Sequence, residues 1–171
     1  LPKASEQQTG GGVFSGVVDN VAAAASYVEE GTWKKLRILD MSGCGIEEWS
    51  QAAYFSRLPA LQELVVDSNP LPQVSPRGKD DDNNFSSLQR ISISSTGLSS
   101  WSDVDAIASY PQLSNLRMSA IPLFKGKGAS QVRPIVISRI RDLAFFNGSI
   151  VGRRERFDGE KGYLRSVLMD I

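Results

Sequence analysis

The 171-residue chain contains no histidine and a single cysteine, Cys44. Without imidazole, histidine acid–base catalysis and histidine-bound metals are excluded. One cysteine excludes an internal disulfide and suits a reducing compartment. Charge of one sign is also missing: 19 Lys and Arg balance 19 Asp and Glu. Bulk charge therefore gives no reason to expect nucleic acid or a membrane surface as partner. No apolar run approaches the roughly 18 residues that a membrane-spanning helix needs. The opening "LPKASEQQTGGG" lacks the basic-then-apolar order of a secretory signal. It also lacks an initiating methionine, as expected of a piece of a longer protein. In a reducing compartment the sequon "NGS" at Asn147 is not expected to be glycosylated.

What the chain does have is repetition. "LRILDMSGCGI" from Leu36, "LQELVVDSNPL" from Leu61, "LQRISISSTGL" from Leu88 and "LSNLRMSAIPL" from Leu113 share one mould, and "IRDLAFFNGSI" from Ile140 is a weaker copy. Their starts lie 25, 27, 25 and 27 residues apart. The first, fourth, sixth and eleventh places are apolar in each, from Leu36, Leu39, Met41 and Ile46 to Ile140, Leu143, Phe145 and Ile150. This is the leucine-rich repeat signature. It predicts an α/β solenoid, with parallel strands on the concave face and helices or turns on the convex face. Side chains alternate across a strand, so the fourth and sixth places point inward and the fifth and seventh outward. No coil buries its inward face alone, and stacked neighbours supply the core. The ninth place ordinarily carries a polar side chain that bonds turn backbone; here it holds Cys44, Asn69, Thr96 and then Ile121. Isoleucine cannot make that bond, so the fourth turn should be built differently.

With 41% hydrophobic residues the chain can bury one core. The organisation expected is a disordered segment over 1–12 and a leucine-rich repeat domain over 13–171 with an N-terminal helix and a C-terminal cap. "VFSGVVDNVAAAASYVEE" sets Phe14, Val17, Val18, Val21, Ala24, Ala25 and Val28 on one helical face, as a convex helix or end cap, or alternatively as a partner-binding helix. "EEWSQAAYFSRLPAL" and "SSWSDVDAIASYPQL" predict convex helices with Ser50 and Ser102 as N-cap candidates and Trp49 and Trp101 packed beneath. "PQVSPRGKDDDNNFSS" replaces a helix with a solvated mobile loop. Its Asp80, Asp81 and Asp82 lack the alternating ligands of a calcium loop. "ASQVRPIVISRI" predicts a last convex helix despite Pro134. Beyond it, Phe157, Leu164 and Leu168 are expected to cover the terminal coil while Arg153, Arg154 and Arg156 remain in water.

Chemistry is not indicated. Cys44 has no histidine to activate it. "GKGAS" at Gly126 lacks the spacing of a phosphate loop, and Glu47 beside Glu48 on a surface turn makes a poor catalytic dyad. The residues predict no enzyme, cofactor, metal or small-molecule substrate. The candidate functional surface is the outward strand face: Ile38, Asp40 and Ser42; Glu63, Val65 and Asp67; Arg90, Ser92 and Ser94; Asn115, Arg117 and Ser119; Asp142, Ala144 and Phe146. Acidic groups gather on its first two strands and basic groups on the next two. Either these charges balance in cis, or they form a two-signed interface for another folded protein, where complementarity guides encounter.

The repeats from Leu36 to Leu123, followed by "QVRPIVISRIRDLAFFNGSIVGRRERFDGEKGYLRSVL", resemble the leucine-rich domain of the tubulin-folding cofactor E family. The similarity runs over about residues 33–168 and includes Asn147, Arg154, Glu155, Arg156 and Tyr163 in the closing segment. Gly159 and Gly162 make that segment less continuous than the family's final helix. The resemblance implies a domain lying between a glycine-rich microtubule-binding-type domain and a ubiquitin-like one. It also implies a cytoplasmic, cytoskeleton-associated chaperone role, binding α-tubulin or other tubulin-folding cofactors as the α/β dimer is assembled or taken apart. The alternatives are a generic repeat adaptor, of phosphatase-regulator or axonemal type, and a spacer between flanking domains.

Overall fold

The computed structural model describes residues 13–15, 33–78 and 84–169. The segment 1–12, most of the expected N-terminal helix and Asp80 to Asp82 lie outside the described residues. Six short strands run parallel in chain order: β1 (Val13–Ser15), β2 (Ile38–Asp40), β3 (Glu63–Val65), β4 (Arg90–Ser92), β5 (Asn115–Arg117) and β6 (Phe145–Phe146). A seventh, β7 (Ser149–Ile150), turns back antiparallel on β6. The convex side carries α1 (Trp49–Ala53), α2 (Trp101–Ala108), α3 (Ala129–Arg139) and the closing α4 (Arg153–Met169). The fold is a leucine-rich repeat solenoid.

Strand register reproduces the repeat. Leu39, Leu64, Ile91 and Leu116 are partners across β2 to β5, and all are buried. The first and eleventh places, such as Leu61, Leu71, Leu88 and Leu98, are buried against them. The array also begins one coil earlier than the leucines suggest. Phe14 pairs with Leu39, so the expected helix opens instead as a strand with the same spacing of 25 residues.

The last coil is out of step with its assigned copy. Phe146, not Leu143, is the partner of Leu116, and Leu143 takes the first place. The coil is longer than the others because β5 leads through a 3-10 turn (Pro122–Phe124) and then the whole of α3. Phe146 is therefore buried, and Phe145 and Ile150, assigned inward, are exposed.

The polar ladder shows why the ninth place matters. Asn69 Oδ1 accepts from Ile46 N at 2.9 Å, while its Nδ2 donates to Met41 O at 3.0 Å and Val66 O at 2.8 Å. Thr96 Oγ1 donates to Ile93 O. At the fourth turn Ile121 is simply buried. Asn147 supplies the bonds from the next coil, accepting from Met118 N at 2.8 Å and donating to Met118 O at 3.0 Å.

Helix starts follow capping chemistry at positions earlier than Ser50 and Ser102. Ser100 Oγ accepts from Ser102 N, and Asp103 Oδ2 accepts from Ser100 N, a reciprocal capping box. Glu48 N donates to Gln51 Oε1 at the start of α1. Trp49 is buried in a cluster with Phe85 and Tyr110, and its indole donates to the Tyr110 hydroxyl at 3.1 Å. The described part of the helix-free connection is pinned rather than loose. Val74 N donates to Asp103, Arg77 N donates to Ser109 Oγ, and Phe85 is buried against the rings of Trp49 and Tyr110.

The C-terminal cap departs from the expected arrangement, although Arg153 and Arg154 are exposed as expected. Arg156 is half-buried and donates to the carbonyls of Ile137, Ile140 and Leu143, at and just beyond the end of α3. Phe157, Leu164 and Leu168 are each at least 60% exposed. Helix α4 runs unbroken through both glycines, and a Cβ at Gly159 would lie 3.2 Å from Pro134 O. That glycine permits close helix approach instead of ending the helix.

Candidate protein-interaction surface

The side chains opposite the buried ladder form the concave face in two rows. The first runs Ile38, Glu63, Arg90, Asn115, Phe145 and the second Asp40, Val65, Ser92, Arg117. Register places Glu63 directly beside Arg90, and the two form an ion pair at 3.0 Å. Asp67 accepts from Ser92 Oγ at 2.8 Å and from Ser94 N at 2.6 Å. Asp40 accepts from the backbone N and the hydroxyl of Ser42 at 2.9 and 2.6 Å. Most of the acidic band is thus engaged within the sheet. An exposed pair such as Glu63–Arg90 contributes about 0–1 kcal/mol, so it sets local charge more than stability.

Two residues expected to offer side chains to a partner do not. Ser92 is buried, because its hydroxyl turns to the Asp67 carboxylate between strands. Phe146 is buried, because the last coil is shifted and its ring occupies the inward place beside Leu116. Ile38, Asp40, Glu63, Val65, Asp67 and Asn115 are half-buried on the outward face, and Ser42, Arg90 and Arg117 are exposed. Ser119 also faces outward and meets the Ser94 hydroxyl at 3.1 Å. Asp142 and Ala144 are exposed in the approach to β6.

Sequence alignment missed Phe145 and Ile150. They are cross-strand partners on the outward side, 39% and 71% exposed. The signal was available: Leu143 and Phe146 keep the first-to-fourth spacing of the other copies, and that frame turns Phe145 outward. Behind them the terminal strand is held by Arg133, which donates to Phe146 O at 3.0 Å and Ile150 O at 2.9 Å. Its guanidinium also pairs with Glu155, reaching Oε2 at 3.1 Å. That hydrogen bond holds the Glu155 carboxyl below the usual carboxylate range and raises the Arg133 pKa. Deeper in the junction, Arg139 lies between the rings of Trp101 and Tyr163, 5.3 and 5.1 Å from their centroids, and donates to both oxygens of Asp105 at 2.7 Å. Sequence reasoning assigned no role to Arg133 or Arg139, whose hydrogen-bond partners lie 13–34 residues away in the chain.

Among the described residues no group of three or more His, Cys, Asp or Glu is placed to hold a metal ion. No helix among them is long and apolar enough to cross a membrane.

No family model matches the chain. The human tubulin-specific chaperone cofactor E-like protein is 30% identical over 131 residues, 76% of this chain. The Arabidopsis thaliana tubulin-folding cofactor E is 27% identical over 157 residues, 86% of this chain, and the Xenopus laevis tubulin-specific chaperone E is 26% identical over 133 residues, 76% of this chain. The chain spans 26–31% of the length of these relatives. Among solved structures, a chain of the Drosophila melanogaster SNF/U2A' complex superposes with a TM-score of 0.65 at 15% identity, covering 83% of this chain and 79% of that one. That likeness concerns the fold alone. The chain is a leucine-rich repeat solenoid similar, over 76–86% of its length, to part of proteins named as tubulin chaperone E, its E-like protein and tubulin-folding cofactor E.

Proposed function

We propose that this solenoid is a non-enzymatic protein-interaction domain of a tubulin-folding chaperone, acting in the cytoplasm in association with the cytoskeleton. Its concave face contacts α-tubulin or a sister tubulin cofactor while the α/β dimer is assembled or dismantled. The supporting observation is the similarity to named tubulin chaperones over 76–86% of this chain. A continuous outward strand face, with its leucines committed to the core, offers the surface such a role needs.

The test is capture of purified α/β-tubulin by the chain, compared with a variant carrying Asp40→Lys, Glu63→Lys, Arg90→Glu and Arg117→Glu. The expected result is binding by the parent chain and a loss of at least about tenfold in the variant, with the circular dichroism spectrum preserved. Undiminished capture moves the interface off the concave face. No capture by either protein favours a spacer or an adaptor for another partner.

A further inference from the structure

The concave face is not uniform in what it leaves unsatisfied. Over β2 to β4 its charged groups are consumed internally: Asp40 by Ser42, Glu63 by Arg90, Asp67 by Ser92 and Ser94. Over β5 to β7 the reverse holds. Arg117 is exposed and has no ion pair among the described residues. One strand away, Phe145 and Ile150 lie side by side on the same face, open to solvent.

Positive charge follows the corner closely in the chain, at the start of α4. Arg153 and Arg154 follow Ile150 by three and four residues and are exposed. The carboxylates nearby give little to offset them. Glu155 is committed to Arg133, and Asp158 stands 3.8 Å from Arg154 with both side chains mostly in water, a pair worth little. Asp142 is exposed on the turn before β6, but Arg141 precedes it and is exposed as well. The edge of the sheet does not invite an added strand. Ile150 O is taken by Arg133, and Val151 N donates to Ala144 O. With Ile150 O so occupied, the site is one of side chains.

We infer that the corner formed by Arg117, Phe145 and Ile150 docks an acidic segment of a partner protein that presents one apolar side chain. The apolar residue lies across Phe145 and Ile150, and its flanking carboxylates meet Arg117 on one side and the arginines that open α4, Arg153 and Arg154, on the other. Burying the apolar pair supplies affinity, while the arginines supply steering and reject a basic segment. The site lies on the surface assigned above to a tubulin-class partner and rests on that reading for the partner's identity, though not for its chemistry.

Two measurements separate the two ideas. In the first, the probe is a short synthetic peptide with one leucine flanked by glutamates, titrated onto the chain by fluorescence anisotropy. Its controls replace the leucine with alanine, or the glutamates with lysines. Binding should weaken about tenfold for the alanine peptide, as expected for losing most of one buried apolar side chain. It should also weaken in Arg117→Glu and in Ile150→Ser, and fall as salt rises. Equal binding of the lysine peptide, or no change in those variants, overturns the site. Ile150 is mostly exposed, so its serine variant should fold as the parent does. In the second, α/β-tubulin replaces the peptide. Tubulin binding insensitive to Ile150→Ser and Arg117→Glu overturns the corner while leaving the tubulin role standing. Peptide binding at the corner with no tubulin binding keeps the site and removes tubulin as its occupant.

Discussion

Leu64 and Ile91 are pressed between equivalent residues of the coils on either side, with 0% and 1% of their surface exposed. Truncating either to alanine opens a cavity that rigid strand neighbours cannot close. The expected loss is about 2–5 kcal/mol, read from urea unfolding. Glu155 behaves differently because it stands at the surface. Its folded-state pKa is depressed, so its contribution is complete above the unfolded carboxylate value of about 4.3 and is lost as pH falls through the folded one. Glu155→Gln should therefore cost under about 1 kcal/mol at pH 7, after discounting for solvent screening. The same variant should flatten the acid side of the stability profile; an unchanged profile would remove Glu155 from the acid response. At this scale the sequence was readable where one residue acts through its periodic place, as with Asn69. It was opaque where a long side chain crosses the fold. Arg153 and Arg154 are solvated as expected, but Arg156 is not, because nothing in its spacing reveals the carbonyls of Ile137, Ile140 and Leu143 that it reaches.

Helix α4 concentrates what the elements can teach. Its two glycines are three residues apart and have opposite surroundings. Gly159 lies against Pro134 of α3, while nothing comes within 4 Å of a Cβ built on Gly162. Gly162→Ala should stabilise the domain by up to about 1 kcal/mol, the helix-propensity difference. Gly159→Leu should destabilise it by forcing α3 and α4 apart, so thermal midpoints of the two variants should move in opposite directions. The outward stripe gives a third comparison. Leu164 is 60% exposed, so Leu164→Glu should leave the midpoint nearly unchanged; a large fall would place that side chain in the core after all. Hydrophobic pattern identified α4 as the closing element and then chose the wrong face. Cap packing here relies on small residues and guanidinium hydrogen bonds, which periodicity of apolar residues does not register.

For the molecule as a whole, the period read from the leucines recovered the strand order and the interior of four coils. It failed at both ends. Phe14 was assigned to a helical face because glycines hold the first and sixth places, Gly11 and Gly16, leaving two apolar places, Phe14 and Val21, where the other copies show four. The last coil was misframed because a full helix lengthens it, and a fixed period then lands three residues early. Both errors fall where a solenoid must stop repeating, and the second reached the candidate surface by exchanging Phe145 for Phe146. The interior coils constrain one another through shared register; the end coils answer to local chemistry.

One consequence of the reversed strand β7 concerns assembly. A stack of parallel strands is an open-ended template, and a second molecule could in principle extend it. Here the final two residues run the opposite way, and one guanidinium occupies Ile150 O together with Phe146 O. Removing that plug with Arg133→Ala should leave a sticky rim, detectable as concentration-dependent light scattering. The parent chain, blunted at this end, should scatter as a discrete particle.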